Sequence, residues 1–315
     1  RGNDMTQPEK ILPFALAVLT VMVMTAAAEL SGEKEILFPE IAAIAAGALI
    51  APKFAWKTSK LRLFVLICIG SVMGLLISIF VPFTLGIKLC IAFLAASLLF
   101  RFSGTTFAPV ISSVVLPVML GTDSAIYPIA AAVLTLLILM ERLLIEKLGI
   151  AEKSEFSPEP MPDKNAIILL AARWLVGSIA IVPAVGNGFA FAAAPPLLVA
   201  FTEFCRKDSA VRKRPVSITL LIVGCALVGA VCRFVFTLLG WKMFIAAGVA
   251  MLIVCIIMKS VKLFVPPAAA LSVLAFLIPE EAVVSYPLQI AAGTLFFVLA
   301  GRILGKISEL RTSES

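Results

Sequence analysis

The stretch K-L-F-V-P-P-A-A-A-L-S-V-L-A-F-L-I-P-E-E at 262–281 decides how the chain is read. Two adjacent prolines, Pro266 and Pro267, open an apolar run that Pro279 and two glutamates close. Proline fits the first turn of a helix, where its missing N–H would have no partner anyway. The pair therefore marks a helix start. Residues 266–278 supply 13 residues, about 20 Å of helix at 1.5 Å per residue, against a hydrocarbon core about 30 Å thick. Either the preceding residues cross as irregular backbone or the helix begins inside the membrane, and such backbone needs protein or a water-filled cavity around it. A helix start at that depth presents free N–H groups and a partial positive charge, a seat for an anion. The alternative is an ordinary tilted helix that begins after a short turn.

Membrane is the right frame because the chain is 61% hydrophobic and only 14% charged, with a mean hydropathy of +1.10. Soluble domains sit near half apolar and a quarter charged. Leaving aside the residues before Met5, apolar runs fall at 11–28, 36–51, 61–81, 86–100, 107–121 and 126–146, then at 165–183, 189–205, 215–237, 241–258, 264–278 and 286–304. The first run lacks a signal-peptide flank and cleavage site and reads as a membrane helix. The expected fold is an all-α polytopic membrane protein of about 12 transmembrane segments. Several segments are shorter than the ~20 residues of a straight span.

Basic residues mark cytoplasmic loops. With the N-terminus inside, 20 of the 26 Lys and Arg fall on inner loops, among them Lys10, Lys53, Lys57, Lys60, Arg62, Arg101, Arg142, Lys207, Arg212 and Arg311. The outer loops hold Lys34, Lys88 and Lys242. Both termini are thus expected in the cytoplasm, with the chain in a plasma (bacterial inner) membrane. The net charge of +7 follows from topology, and the scattered basic loops do not suit nucleic acid.

The halves resemble each other. Gly86-Ile-Lys88 recurs as Gly240-Trp-Lys242, Phe107-Ala-Pro109 as Phe264-Val-Pro-Pro267, and Tyr127-Pro128 as Tyr286-Pro287; Gly70 and Gly74 match Gly224 and Gly229 by segment. The loops at 51–62 and 206–214 are both basic, so the repeats run parallel, which requires an even number of crossings in each. The expected organisation is a first membrane repeat at 5–147, a proline-rich cytoplasmic linker at 148–164 without chemistry of its own, and a second repeat at 165–308.

Prolines open a short helix at four symmetric places: Pro39 before Glu40, Pro109, Pro195-Pro196 and Pro266-Pro267. Around them stand the polar groups able to meet a solute: Thr105, Thr106, Ser112 and Ser113, with Arg173 about nine residues into its segment. A charge at that depth costs at least ~2.5 kcal/mol and normally faces protein or water, so Arg173 is either an anion contact or an arginine snorkelling to the inner face. Glu40 is a helix-start cap or an ion-coupling carboxylate. Glu203 is an ion-coupling candidate or the local partner of Arg206. Arg233 lies near the outer helix end, where snorkelling suffices, and Trp56, Trp174 and Trp241 read as interfacial anchors. The absence of histidine excludes His-based zinc sites, Ser-His triads and His relays. The six cysteines form no C-x-x-C pair and read as small buried hydrophobes. No cofactor is expected.

The order A-A-A-P-P-L-L-V-A-F-T-E, R-K-R-P-V-S-I, V-P-P-A-A-A-L and Y-P-L-Q-I-A-A-G-T-L-F-F-V-L-A in the second half resembles the HPP family of integral membrane proteins, named for a His-Pro-Pro motif. The whole chain then looks like a tandem duplication of that unit, with Val265 and Ala108 standing where the motif has histidine. Some members are linked to nitrite transport, so the resemblance implies small-anion transport. Together these features lead to a secondary transporter or facilitator of a small anionic solute, bound between the repeats at Pro109, Pro266 and Pro267. A membrane-embedded enzyme acting on a lipid or isoprenoid, and a partner subunit of a membrane complex, are the competing classes.

Overall fold

The computed structural model describes residues 7–153, 156, 158–206 and 213–313, with side chains described between 11 and 307. Lys207, Arg212, residues 5–6 of the first repeat, positions 154, 155 and 157 of the linker, and the side chains of Lys10 and Arg311 lie outside the described residues.

The elements are helical throughout, and no strand occurs among the described residues. In order they are α1 (Gln7–Ser31), α2 (Glu40–Ala45), α3 (Lys60–Phe80), α4 (Leu85–Phe102), α5 (Val110–Leu120), α6 (Ile126–Lys147), α7 (Lys164–Gly186), α8 (Pro195–Phe204), α9 (Pro215–Leu238), α10 (Met243–Val261), α11 (Pro266–Leu274), α12 (Glu280–Val283) and α13 (Tyr286–Ser313). Short 3-10 turns, Lys34–Ile36 and Ala190–Ala193, precede α2 and α8.

Eight of these helices, α1, α3, α4, α6, α7, α9, α10 and α13, are long and apolar enough to cross a bilayer. The expected segment at 86–100 gains length at its end and runs to Phe102. The runs at 36–51, 107–121, 189–205 and 264–278 do not give full-length helices. Each is split by a proline into an irregular or 3-10 lead and a short α-helix.

Long and short helices differ in what they bury. Every residue of α2 and α11 is buried, as are 110–118 of α5 and 195–202 of α8. The long helices instead turn large apolar side chains outward, including Leu19, Ile69, Val133, Leu175, Leu220 and Leu252. An apolar outer face around buried short helices is the arrangement of a membrane-embedded bundle, in which irregular backbone is kept away from lipid.

Packing follows from small residues. Helix α5 lies against α3 and α4, and α11 against α9 and α10; α1 packs on α10, and α4 on α7. A Cβ at Gly74 would overlap the carbonyl oxygen of Val114, and one at Gly229 that of Ser272. Only glycine permits these approaches. In lipid, helices associate by such close packing rather than by a hydrophobic drive.

Helix α2 continues through a wider π-turn, Ala46–Ile50. Such turns loosen the backbone ladder, and here outside donors take the carbonyls: Ala55 N–H bonds Gly47 O at 3.0 Å, and Arg142 Nη1 bonds Ala48 O at 2.7 Å. Arg142, expected on a loop, is buried in α6 and pairs with Glu146 at 2.8 Å, which also takes Lys60 at 2.5 Å. Trp56 is likewise no surface anchor. It is buried, with its ring over Gly47 and edge-on to Phe107 at 5.1 Å. Trp241 is exposed, and Trp174 donates to Cys90 O at 2.9 Å.

The linker is held to the first half. Glu159 N–H bonds Gly104 O at 2.9 Å, Arg142 Nη2 bonds Glu152 O at 2.5 Å, and Lys57 approaches Glu159 at 3.7 Å. The described part of the linker, the loop at 51–59 and residues 103–106 thus form one end of the bundle.

Candidate functional site

The four short helices begin at one place. Their first turns line a small, partly open space of about 10 Å³, formed by Glu40 and Ala43 of α2, Pro109 and Ser112 at the start of α5, Pro196 and Val199 of α8, and Pro267 and Ala270 of α11. Each helix contributes two residues three apart, one above the other on a helical face. The space is narrow, close to a single water-sized particle.

The cavity lies at mid-depth. Gly70 stands halfway along the 21-residue α3, and a Cβ there would overlap Ser113 Oγ in the first turn of α5. The start of α5 is therefore level with the middle of a spanning helix.

Its polar content is concentrated in one pair. Glu40 is 1% exposed, and its Oε1 accepts a hydrogen bond from the Ser112 hydroxyl. Its Oε2 is buried without a partner. None of the ion pairs among the described residues includes Glu40. A carboxylate at a helix start is favoured by the helix dipole, and here three further helices point their positive ends the same way. The expected free backbone amides are not what faces the cavity. Ile41 and Ala42 N–H bond Phe38 and Pro39 O, Ile111 and Ser112 N–H bond Ala108 and Pro109 O, and Leu197 and Ala268 N–H bond Ala194 and Val265 O. These tight turns satisfy those amides internally, which leaves the dipole field, the Ser112 hydroxyl and the Glu40 backbone N–H, the last two given to the Glu40 carboxylate, as the site's polarity.

Of the residues singled out in the sequence, Glu40, Pro109, Ser112 and Pro267 line the cavity. Pro266 is buried in the first turn of α11 but is not among the lining residues. Ser113 faces α3 and bonds Val110 O at 2.8 Å. Thr105 and Thr106 are occupied in the loop: Thr105 Oγ1 meets Ser103 Oγ at 2.9 Å, and Thr106 Oγ1 accepts Lys57 N–H at 2.8 Å. Arg173 is buried with Nε unpartnered, yet its charged neighbours are Arg101 and Arg206, beside Cys205 at the far end of α8. Glu203 lies by Arg206 and Trp56 at that same end. Neither lines the cavity. Arg233 caps α11, with Nη1 donating to Ala275 O and Ile278 O at 2.6 Å each. Ala43, Val199 and Ala270 complete the lining without having been singled out, and Pro196, read only as a helix opener, joins them. Their signal is positional: each stands at the spacing that Pro109 and Ser112 keep.

Cys90, Cys205, Cys225, Cys232 and Cys255 are buried and Cys68 is half-buried. No group of three His, Cys, Asp or Glu suited to a metal occurs among the described residues.

The apolar outer face, the eight long helices and the buried broken ones define a polytopic helical membrane protein. No family model, curated protein or solved structure matches the chain.

Proposed function

We propose that the chain is a secondary transporter or facilitator of a small anionic solute, seated where the four short helices begin. The observation that carries this reading is the convergence itself: four helix starts, each partially positive, around one mid-depth cavity. Broken helices whose positive ends face a midplane site are a recurring way to bind an anion in a membrane. The space is small, which limits the solute to a few atoms.

Two parallel six-segment repeats, with the short helices completing twelve segments, are part of the same reading. In support, the order long, short, long, long, short, long occurs twice once the one-turn α12 is set aside. Like contacts also recur: Tyr127 donates to Ser113 O at 3.5 Å and Tyr286 to Leu271 O at 2.7 Å, while Phe38 meets Tyr127 and Phe191 meets Tyr286 edge-on at 5.8 and 5.7 Å. Membership of the HPP family is supported by the motif-like stretches that lead into α5 and α11. Ala108 and Val265, at the histidine position, are both buried. The placement in a plasma membrane with cytoplasmic termini is supported by Lys57, Lys60, Arg62, Arg101 and Arg142, which gather at the linker's end of the bundle.

The test is flux of chloride, formate and nitrite into liposomes carrying the purified protein. Saturable flux of at least one anion is expected, together with its loss in Ala43→Leu and Ala270→Leu proteins that remain monodisperse. No flux above protein-free liposomes, or flux indifferent to both substitutions, contradicts the reading.

A further inference from the structure

We propose that Glu40 is a proton-operated gate in this cavity: ionised, its carboxylate occupies the seat that the solute needs, and protonated, it yields the seat, so that one proton enters with each anion. The inference rests on the transport reading above and adds its coupling.

Three observations lead to it. First, Glu40 is buried to 1% exposure, lines the cavity, and holds one carboxylate oxygen without a partner. The Ser112 hydroxyl, the cavity's side-chain donor, is spent on the other oxygen. An anion arriving at the helix starts therefore competes with Glu40 for the same positive field and the same hydroxyl.

Second, no cation neutralises the carboxylate. From α6 the titratable group facing it is Tyr127, whose hydroxyl is directed at Ser113 O. Farther along α6, Glu141 accepts from Thr20 at 2.7 Å and Arg142 is held by Ala48 O and Glu146. From α1 the buried Thr20 and Thr25 do not ionise. The lining residues of α5, α8 and α11 are Pro109, Ser112, Pro196, Val199, Pro267 and Ala270. None of these carries a charge.

Third, a metal cation does not suit the place. Hard cations such as Ca²⁺ take about 6–8 oxygen ligands, whereas the lining side chains offer the two oxygens of Glu40 and the Ser112 hydroxyl. Four positive helix ends also oppose a cation. The proton is the ion that remains.

The charge balance is simple. The resting cavity holds one negative charge, on Glu40. With Glu40 protonated and a monovalent anion bound, it again holds one. The Ser112 hydroxyl passes from Glu40 to the solute, and the cycle moves one anion and one proton together without net charge.

The experiment measures chloride and nitrite flux in liposomes, corrected for protein-free vesicles, against pH and against a potassium–valinomycin potential. Wild-type flux should rise by about tenfold per unit of falling pH over the range where one proton binds, and should ignore the potential. Glu40→Gln, which cannot exchange the proton, should lose the pH dependence, and any flux it retains should follow the potential. Glu40→Asp should keep the pH dependence. Wild-type flux that follows the potential and ignores pH overturns the gate while leaving the transport reading intact, and needs no variant to fold. A pH dependence unchanged in Glu40→Gln also overturns it. Absence of any wild-type flux overturns the transport reading itself.

Discussion

On one side of the central cavity α2 and α5 present Glu40, Ala43, Pro109 and Ser112; on the other α8 and α11 present Pro196, Val199, Pro267 and Ala270. The spacing is the same on both sides, and so is the burial. What differs is that proline stands at 196 where the first side has a carboxylate, valine at 199 where it has Ala43, and alanine at 270 where it has a hydroxyl. The geometry of a helix start needs only proline and small residues, so both sides have it. The proposed coupling needs an ionisable group with a donor, and only the Glu40 side has that. Scaffold and proposed function are separable here, and substitutions can pull them apart.

The largest effects should come from the scaffold. Gly74→Val and Gly229→Val drive a side chain into a backbone carbonyl that no rotamer change can move. Each should cost about 1–3 kcal/mol or more, read as a lower thermal midpoint and lower folded yield in detergent. Gly224 has open space around it, and Gly224→Ala should leave the midpoint unchanged or higher. Equal losses at 224 and 229 would break the claim that close approach of α9 and α11 sets the fold.

Next come the chemical positions. Ser112→Ala removes the donor from a buried carboxylate and should cost about 1–3 kcal/mol. Ala270→Ser adds a hydroxyl on the apolar side and should change stability less. If the two substitutions proved equal, the two sides of the cavity would not differ as described.

The smallest effects distinguish the tyrosines. Tyr286 donates to Leu271 O at 2.7 Å, whereas Tyr127 reaches Ser113 O only at 3.5 Å. Tyr286→Phe should therefore cost about 0.5–1.5 kcal/mol and Tyr127→Phe less, measured on the same thermal scale.

Much of this was readable from the residues. The four prolines at 39, 109, 195 and 266 announced short helices because proline constrains a helix start locally, whatever surrounds it. Hydropathy found the long helices because lipid demands a continuous apolar run. The site was legible in part. Glu40 and Ser112 stood out as polar groups beside prolines, but that they touch depends on α2 and α5 meeting across 72 residues of chain, which no local pattern encodes. Thr105, Thr106 and Ser113 looked alike in sequence, yet loop clamping and the approach of α3 turn their hydroxyls elsewhere. Arg173 lies away from the cavity for a related reason: its position along α7 does not tell which end of α8 it meets, and it lies beside Cys205 rather than Pro196.

The most direct test of the central claim labels the apolar side of the cavity. In a protein whose native cysteines are replaced, Ala270→Cys places a thiol in the cavity wall, and a small linear mercurial is applied while nitrite or chloride flux is followed in liposomes. Flux should fall on modification, and excess transported anion should slow the labelling. Complete modification that leaves flux unchanged would contradict the claim that the solute passes between these four helix starts.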